Sequence, residues 1–117
     1  MATAYFAFQQ RPDQEFIFEL NDEERIAHAR RILSGEERER VHVMGRIIKR
    51  QAPYNPRWSF HLDPDTIHFF DYAIEVCDAN VQEVEDHLPE ACGAFLPGCD
   101  WCPWDSKVVR EVQPLAS

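Results

Sequence analysis

The stretch Phe16-Ile17-Phe18-Glu19-Leu20-Asn21-Asp22-Glu23-Glu24-Arg25-Ile26 changes its period part-way along. Phe16, Phe18 and Leu20 alternate with Ile17 and Glu19, so one face of a strand is strongly apolar. From Asn21 onward the spacing lengthens: Ile26, Ala29 and Leu33, supported by Ile32, fall on one stripe of a helix. Asn21 is the expected N-cap, with Glu24 at the capping-box position, and Gly35 supplies the left-handed stop. A strand leading directly into an amphipathic helix sets the class as α+β.

Upstream, Ala4 to Phe8 alternates imperfectly and Pro12-Asp13 marks a turn, so the segment pairs with Phe16–Leu20 as a β-hairpin. Downstream, Glu36 to Arg40 is a charged connector. Val41, Val43, Gly45 and Ile47 then alternate with His42, Met44, Arg46 and Ile48, a long strand with apolar residues on both faces and therefore central. His42 reads there as a satisfied, half-buried histidine.

Pro53 and Pro56 bracket Tyr54-Asn55 in a stiff loop that cannot join a ladder. Trp58, Phe60 and Leu62 form one strand face. Asp63-Pro64-Asp65 turns the chain, and Ile67 to Val76 is expected to return as the second strand of a pair, with Phe69, Phe70 and Tyr72 supplying bulk. A second helix is expected from Val81 to about Leu88, capped by Asn80 and ended by Pro89, and Lys107 to Val112 closes the chain as a strand. These elements predict one domain over residues 1–117, with a single antiparallel or mixed sheet, two helices and a pinned C-terminal loop.

Composition agrees with one compact core: 117 residues, 44% hydrophobic, 12% aromatic. No run approaches the ~20 apolar residues of a membrane span. Met-Ala-Thr-Ala leads into a strand-like segment rather than a cleavable signal. The net charge of -9 marks an acidic protein and disfavours nucleic acid and anionic membranes as partners. No Lys or Arg occurs between Asp63 and Asp105.

Four cysteines crowd the last third: Cys77, Cys92, Cys99 and Cys102. They allow two disulfides, a four-thiolate zinc site, or a redox pair at Cys99-x-x-Cys102. Zinc sites favour two short knuckles, and only one is present. The redox reading needs a helix after the motif, where Pro103 and Trp104 stand. Two disulfides imply an oxidising compartment, and so a secreted or cell-surface protein rather than a cytoplasmic one.

As for chemistry, His61, Asp63 and His68 form the one dense imidazole–carboxylate cluster, which gives an alternative reading as a small metal-dependent enzyme. Phosphate loops, nucleophile elbows and calcium loops do not occur, so no catalytic residue and no cofactor are assigned. The first reading is a non-catalytic recognition module for a protein or glycan, with protease inhibition as one concrete form. Its contacts are assigned to two aromatic, proline-stiffened loops through Tyr54, Arg57, Trp58, Phe95, Trp101 and Trp104.

The runs Tyr54-Asn55-Pro56, Trp58-Ser59-Phe60-His61-Leu62-Asp63-Pro64, Ala73-Ile74-Glu75-Val76-Cys77-Asp78-Ala79, Gly93-Ala94-Phe95-Leu96-Pro97-Gly98 and Trp101-Cys102-Pro103-Trp104 resemble a known family. It is the small N-terminal domain of an amoebal calmodulin-binding protein, also found as a stand-alone chain. The resemblance carries no catalytic residue with it. It implies that Cys77 and Cys102 pair, since the matching cysteines recur together. A Cys92–Cys99 bridge is then an addition in this chain, and a shared zinc site is disfavoured. The calmodulin association belongs to the long protein, because the basic amphipathic stripe of a calmodulin target is poor here.

Overall fold

A computed structural model describes residues 2–72 and 75–113. Strands β1 (Ala4–Gln9) and β2 (Glu15–Leu20) form the hairpin, in the register Phe6 opposite Phe18 and Phe8 opposite Phe16. Strand β9 (Val108–Val112) pairs antiparallel on the other edge of β1. The result is a three-stranded sheet in the order β2-β1-β9.

Helix α1 (Glu23–Ser34) packs beside β9 and ends at Gly35, whose φ of 89° places it in the left-handed region that glycine reaches without strain. Its N-cap is Asp22, not Asn21, and no side chain caps it: the Asp22 carboxylate accepts from Arg25, while Asn21 accepts from the Thr3 hydroxyl. The buried stripe is Ile26, Ala29 and Ile32; Leu33 faces outward.

Strand β3 (His42–Ile48) organises a second sheet of four strands, so the single sheet expected from the sequence is corrected to several. Along one edge run β4 (His61–Leu62) and β5 (His68–Phe70). These two do not pair with each other as a hairpin. Ile48 faces His61 and Met44 faces His68, so four steps along β3 are matched by seven on its neighbour. The surplus of three is a 3-10 turn, Pro64–Thr66, capped by Asp63, which accepts from the Asp65 amide. Gly45 makes room for this bump: a Cβ there would stand 3.3 Å from Ile67 Cγ1 and 3.4 Å from both Leu62 Cδ2 and Thr66 Oγ1. Of the long returning strand expected over Ile67–Val76, only β5 is strand, Glu75–Cys77 is a 3-10 turn, and Ala73 and Ile74 lie outside the described residues.

Helix α2 (Val81–Asp86) starts at Asn80, whose side chain accepts from the Glu83 amide, and buries Val81 and Val84. A parallel two-stranded ladder, β6 (Ala91–Cys92) with β7 (Phe95–Pro97), and β8 (Asp100–Trp101) on β3 complete the fold. Between the sheets lies a core of stacked aromatics, in which Trp101 touches Phe8, Phe16 and Phe60 at centroid distances of 5.9, 5.1 and 5.4 Å. Among the described residues, no helix is long and apolar enough to cross a membrane.

Candidate functional site

Two of the six residues assigned to ligand contact are core residues. Trp58 is 3% exposed and donates from Nε1 to the Glu15 carbonyl at 2.8 Å; Trp101 is fully buried and donates to the Ala79 carbonyl at 2.9 Å. An indole that spends its N–H on buried backbone and its rings on the core has nothing left for a partner. The Pro53–Pro56 loop is likewise docked inward. Asn55, 1% exposed, accepts from the Ile17 amide and donates to the Phe60 carbonyl, clipping the loop to β2. Sequence reading passed over Asn55.

Tyr54 is half-buried between Tyr5 and His61, and burial raises its phenol above its ordinary pKa. Arg57 lies exposed over the Trp58 ring, 3.9 Å from Asp13. Phe95 is half-buried beside His87. The cluster proposed as metal ligands does not converge. His61 is buried with Nδ1 2.6 Å from the Arg50 carbonyl, Asp63 caps its own turn, and His68 faces outward. Among the described residues, no group of three or more His, Cys, Asp or Glu side chains is arranged to hold a metal.

The exposed aromatics gather elsewhere. Tyr72 is 82% exposed, Val76 58% and Trp104 40%, with the rings of Tyr72 and Trp104 6.3 Å apart. Covalent chemistry holds their two segments together: Cys77 is bonded to Cys102, with Cα atoms 5.1 Å apart, and the Cys102 amide donates to the Cys77 carbonyl. The Trp104 amide donates to Asp78 at 2.9 Å. Buried Ser106 accepts from the Val43 amide and donates to the Pro103 carbonyl, so the loop that carries Trp104 is fastened to β3 as well.

Two concavities flank Trp104. The larger, about 730 Å3, lies between α2 and the β1–β2 turn and is rich in carboxylates: Asp78, Glu83, Asp86 and Asp105 face one basic residue, Arg11. The smaller, about 110 Å3, is lined by His42, Phe70, Asp71, Tyr72 and Trp104. His42 is not the satisfied histidine that its strand position suggested: its Nδ1 is buried without a hydrogen-bond partner, and burial pushes the imidazole pKa down.

The second bridge joins Cys92 to Cys99, with Cα atoms 4.1 Å apart. Cys99 and Cys102 therefore hold different partners, and β8 runs between them, so their spacing does not make a dithiol pair. Both Cys92 and Cys99 have positive φ, as does buried Leu96 between them, so this bridge closes a loop of left-handed residues.

Residues 2–115 match the family model for the N-terminal domain of the calmodulin-binding protein. The chain belongs to that family. No curated protein and no solved structure matches it. Within this calmodulin-binding-protein N-terminal domain, the exposed face shares only Trp104 with the residues assigned from sequence; Tyr72, Val76 and Asp78 are additional. The signal that pointed to them was the long segment without a cation, in which all three stand around Cys77.

Proposed function

We propose that this domain is a non-catalytic recognition module that binds a basic segment of a protein partner across the face made by Tyr72, Val76 and Trp104 and along the adjoining acidic groove. One observation carries the reading: large apolar side chains stand exposed on loops that the Cys77–Cys102 bridge fixes, beside a groove dominated by carboxylates. Exposed Tyr and Trp on a pre-ordered scaffold deliver contact energy with little loss of side-chain freedom. The surrounding charge selects the ligand. From Asp63 to Asp105 there are eleven acidic residues and no Lys or Arg, so an anionic ligand is repelled and a Lys- or Arg-rich one attracted.

The test is capture of an immobilised library of short peptides by the intact domain and by Tyr72→Ala and Trp104→Ala. The wild type should retain peptides that combine basic residues with an apolar one, and retention should weaken with added salt. Either substitution should reduce retention at least tenfold. Capture unaffected by both changes, or a retained set without basic residues, refutes the proposal.

A further inference from the structure

We infer that the small pocket bounded by His42, Phe70, Tyr72 and Trp104, with Asp71 in its lining, is a receptor for one alkylated ammonium group, the methylated head of a lysine side chain in the protein ligand. This rests on the recognition reading above and names the group that the face selects. Three aromatic rings and an imidazole bound a space of about 110 Å3, too small for a folded element and suited to a single head group. The ring pairs are tilted rather than stacked, at 41° for Tyr72–Trp104 and 46° for His42–Phe70. A cation seated among them lies within the ~6 Å over which aromatic faces attract positive charge, an arrangement used to recognise quaternary ammonium groups.

The electrostatics favour a cation of one particular kind. Asp71 is the single carboxylate in the lining, and Asp105 adds negative charge near His42, against Lys107 on the same side. His42 is held toward its neutral form by burial, so it does not oppose the guest. A bare lysine ammonium is a compact, strongly hydrated charge with three donors, and one carboxylate cannot replace its lost water. Methylation removes donors and surrounds the charge with carbon, which matches aromatic walls. The carrier is a peptide because Trp104 lines both the pocket and the acidic groove, so a chain lying in the groove passes the pocket's mouth.

The experiment follows the Trp104 indole and Tyr72 amide resonances of the full chain in heteronuclear NMR. The first probes are tetramethylammonium and its neutral isostere 3,3-dimethyl-1-butanol. Tetramethylammonium should give saturable shifts and the alcohol at least tenfold weaker ones. Tyr72→Ala and Trp104→Ala, both at exposed positions, should each weaken the response at least tenfold with an unchanged near-ultraviolet circular dichroism spectrum. A basic peptide with one trimethyllysine should bind at least tenfold tighter than its unmodified form. No saturable shift, an equal response to the alcohol, or no preference for the methylated peptide overturns the inference; unmodified basic peptides still binding would then leave the groove reading standing. Phosphocholine competing as well as the methylated peptide, or tetramethylammonium binding without any peptide binding, overturns the assignment to a lysine.

Discussion

Replacing Trp101 and Trp104 separately should split stability from recognition, although the two stand three residues apart in one aromatic run. Trp101 is fully buried against Phe8, Phe16 and Phe60 and donates its indole N–H to the Ala79 carbonyl. Truncating a core Trp to Ala costs about 3–5 kcal/mol, and leaving the carbonyl unpaired adds roughly 1–3 kcal/mol. A domain of this size has about 5–15 kcal/mol in all, so Trp101→Ala should be marginally folded. With a urea slope of ~1–3 kcal/mol per molar, the midpoint should fall by on the order of 2 M or more. Trp101→Phe keeps most of the packing and should fall between the two extremes. Trp104→Ala, at a 40% exposed position, should change stability by less than about 1 kcal/mol while losing peptide capture. The assay is urea unfolding by far-ultraviolet circular dichroism beside peptide binding on the same samples. Trp101→Ala unfolding at the wild-type midpoint would refute the packing argument. Trp104→Ala losing several kcal/mol would place that residue in the core instead of on the binding face.

Removing the Cys77–Cys102 bridge by a double Ala substitution should cost about 3–4 kcal/mol, from the loop entropy of its 25-residue separation. The Cys92–Cys99 bridge closes a loop of 7, worth roughly 2–3 kcal/mol by the same relation, but freeing its left-handed residues offsets part of this; urea midpoints should therefore drop clearly less for the second pair. His42→Phe removes a buried nitrogen without a partner and should raise stability at pH 7 by about 1 kcal/mol. Because burial holds the folded His42 pKa below its unfolded value of about 6.5, the wild type should lose stability as pH falls from about 6.5 toward the folded value. Thermal unfolding of His42→Phe should lack that slope. The hydrogen bond from Arg110 holds the Glu15 carboxyl below its ordinary pKa, so its contribution is complete above about pH 4.3 and disappears as pH falls through the folded value. Glu15→Gln should thus lose at most about 1 kcal/mol at pH 7, given its solvent contact, and nothing at pH 2.

Local periodicity made the hairpin, both helices and the central strand legible in the sequence, because the features that build them lie within one or two turns of chain. What it left open was decided by partners distant in sequence. The bend at Asp63-Pro64-Asp65 looks like a reversal when read alone. It becomes a three-residue bump only because β3 offers a continuous edge and Gly45 leaves space beneath it. The number of sheets was open for the same reason: β1 pairs with β9 across about a hundred residues, and nothing local announces which strands adjoin. At the helix start, Asn21 and Asp22 are equally good caps by composition, and Arg25 takes up the Asp22 carboxylate.

The tryptophans show the limit most clearly. Trp58, Trp101 and Trp104 all stand near prolines or cysteines, and composition alone makes each a contact candidate. Their fates are set by register. Trp101 sits opposite Gly45 on β3, where the absence of a facing side chain allows an indole to enter the core, while Trp104 falls past Pro103, after the β8 ladder has ended. A turn tied down by Asp78, Ser106 and the Cys77–Cys102 bridge then has no room inside for a second indole. The bridge therefore has an effect beyond stability. By joining Cys102 to Cys77 it brings Trp104 beside Tyr72, which makes a recognition face from residues that would otherwise be two unrelated surface aromatics.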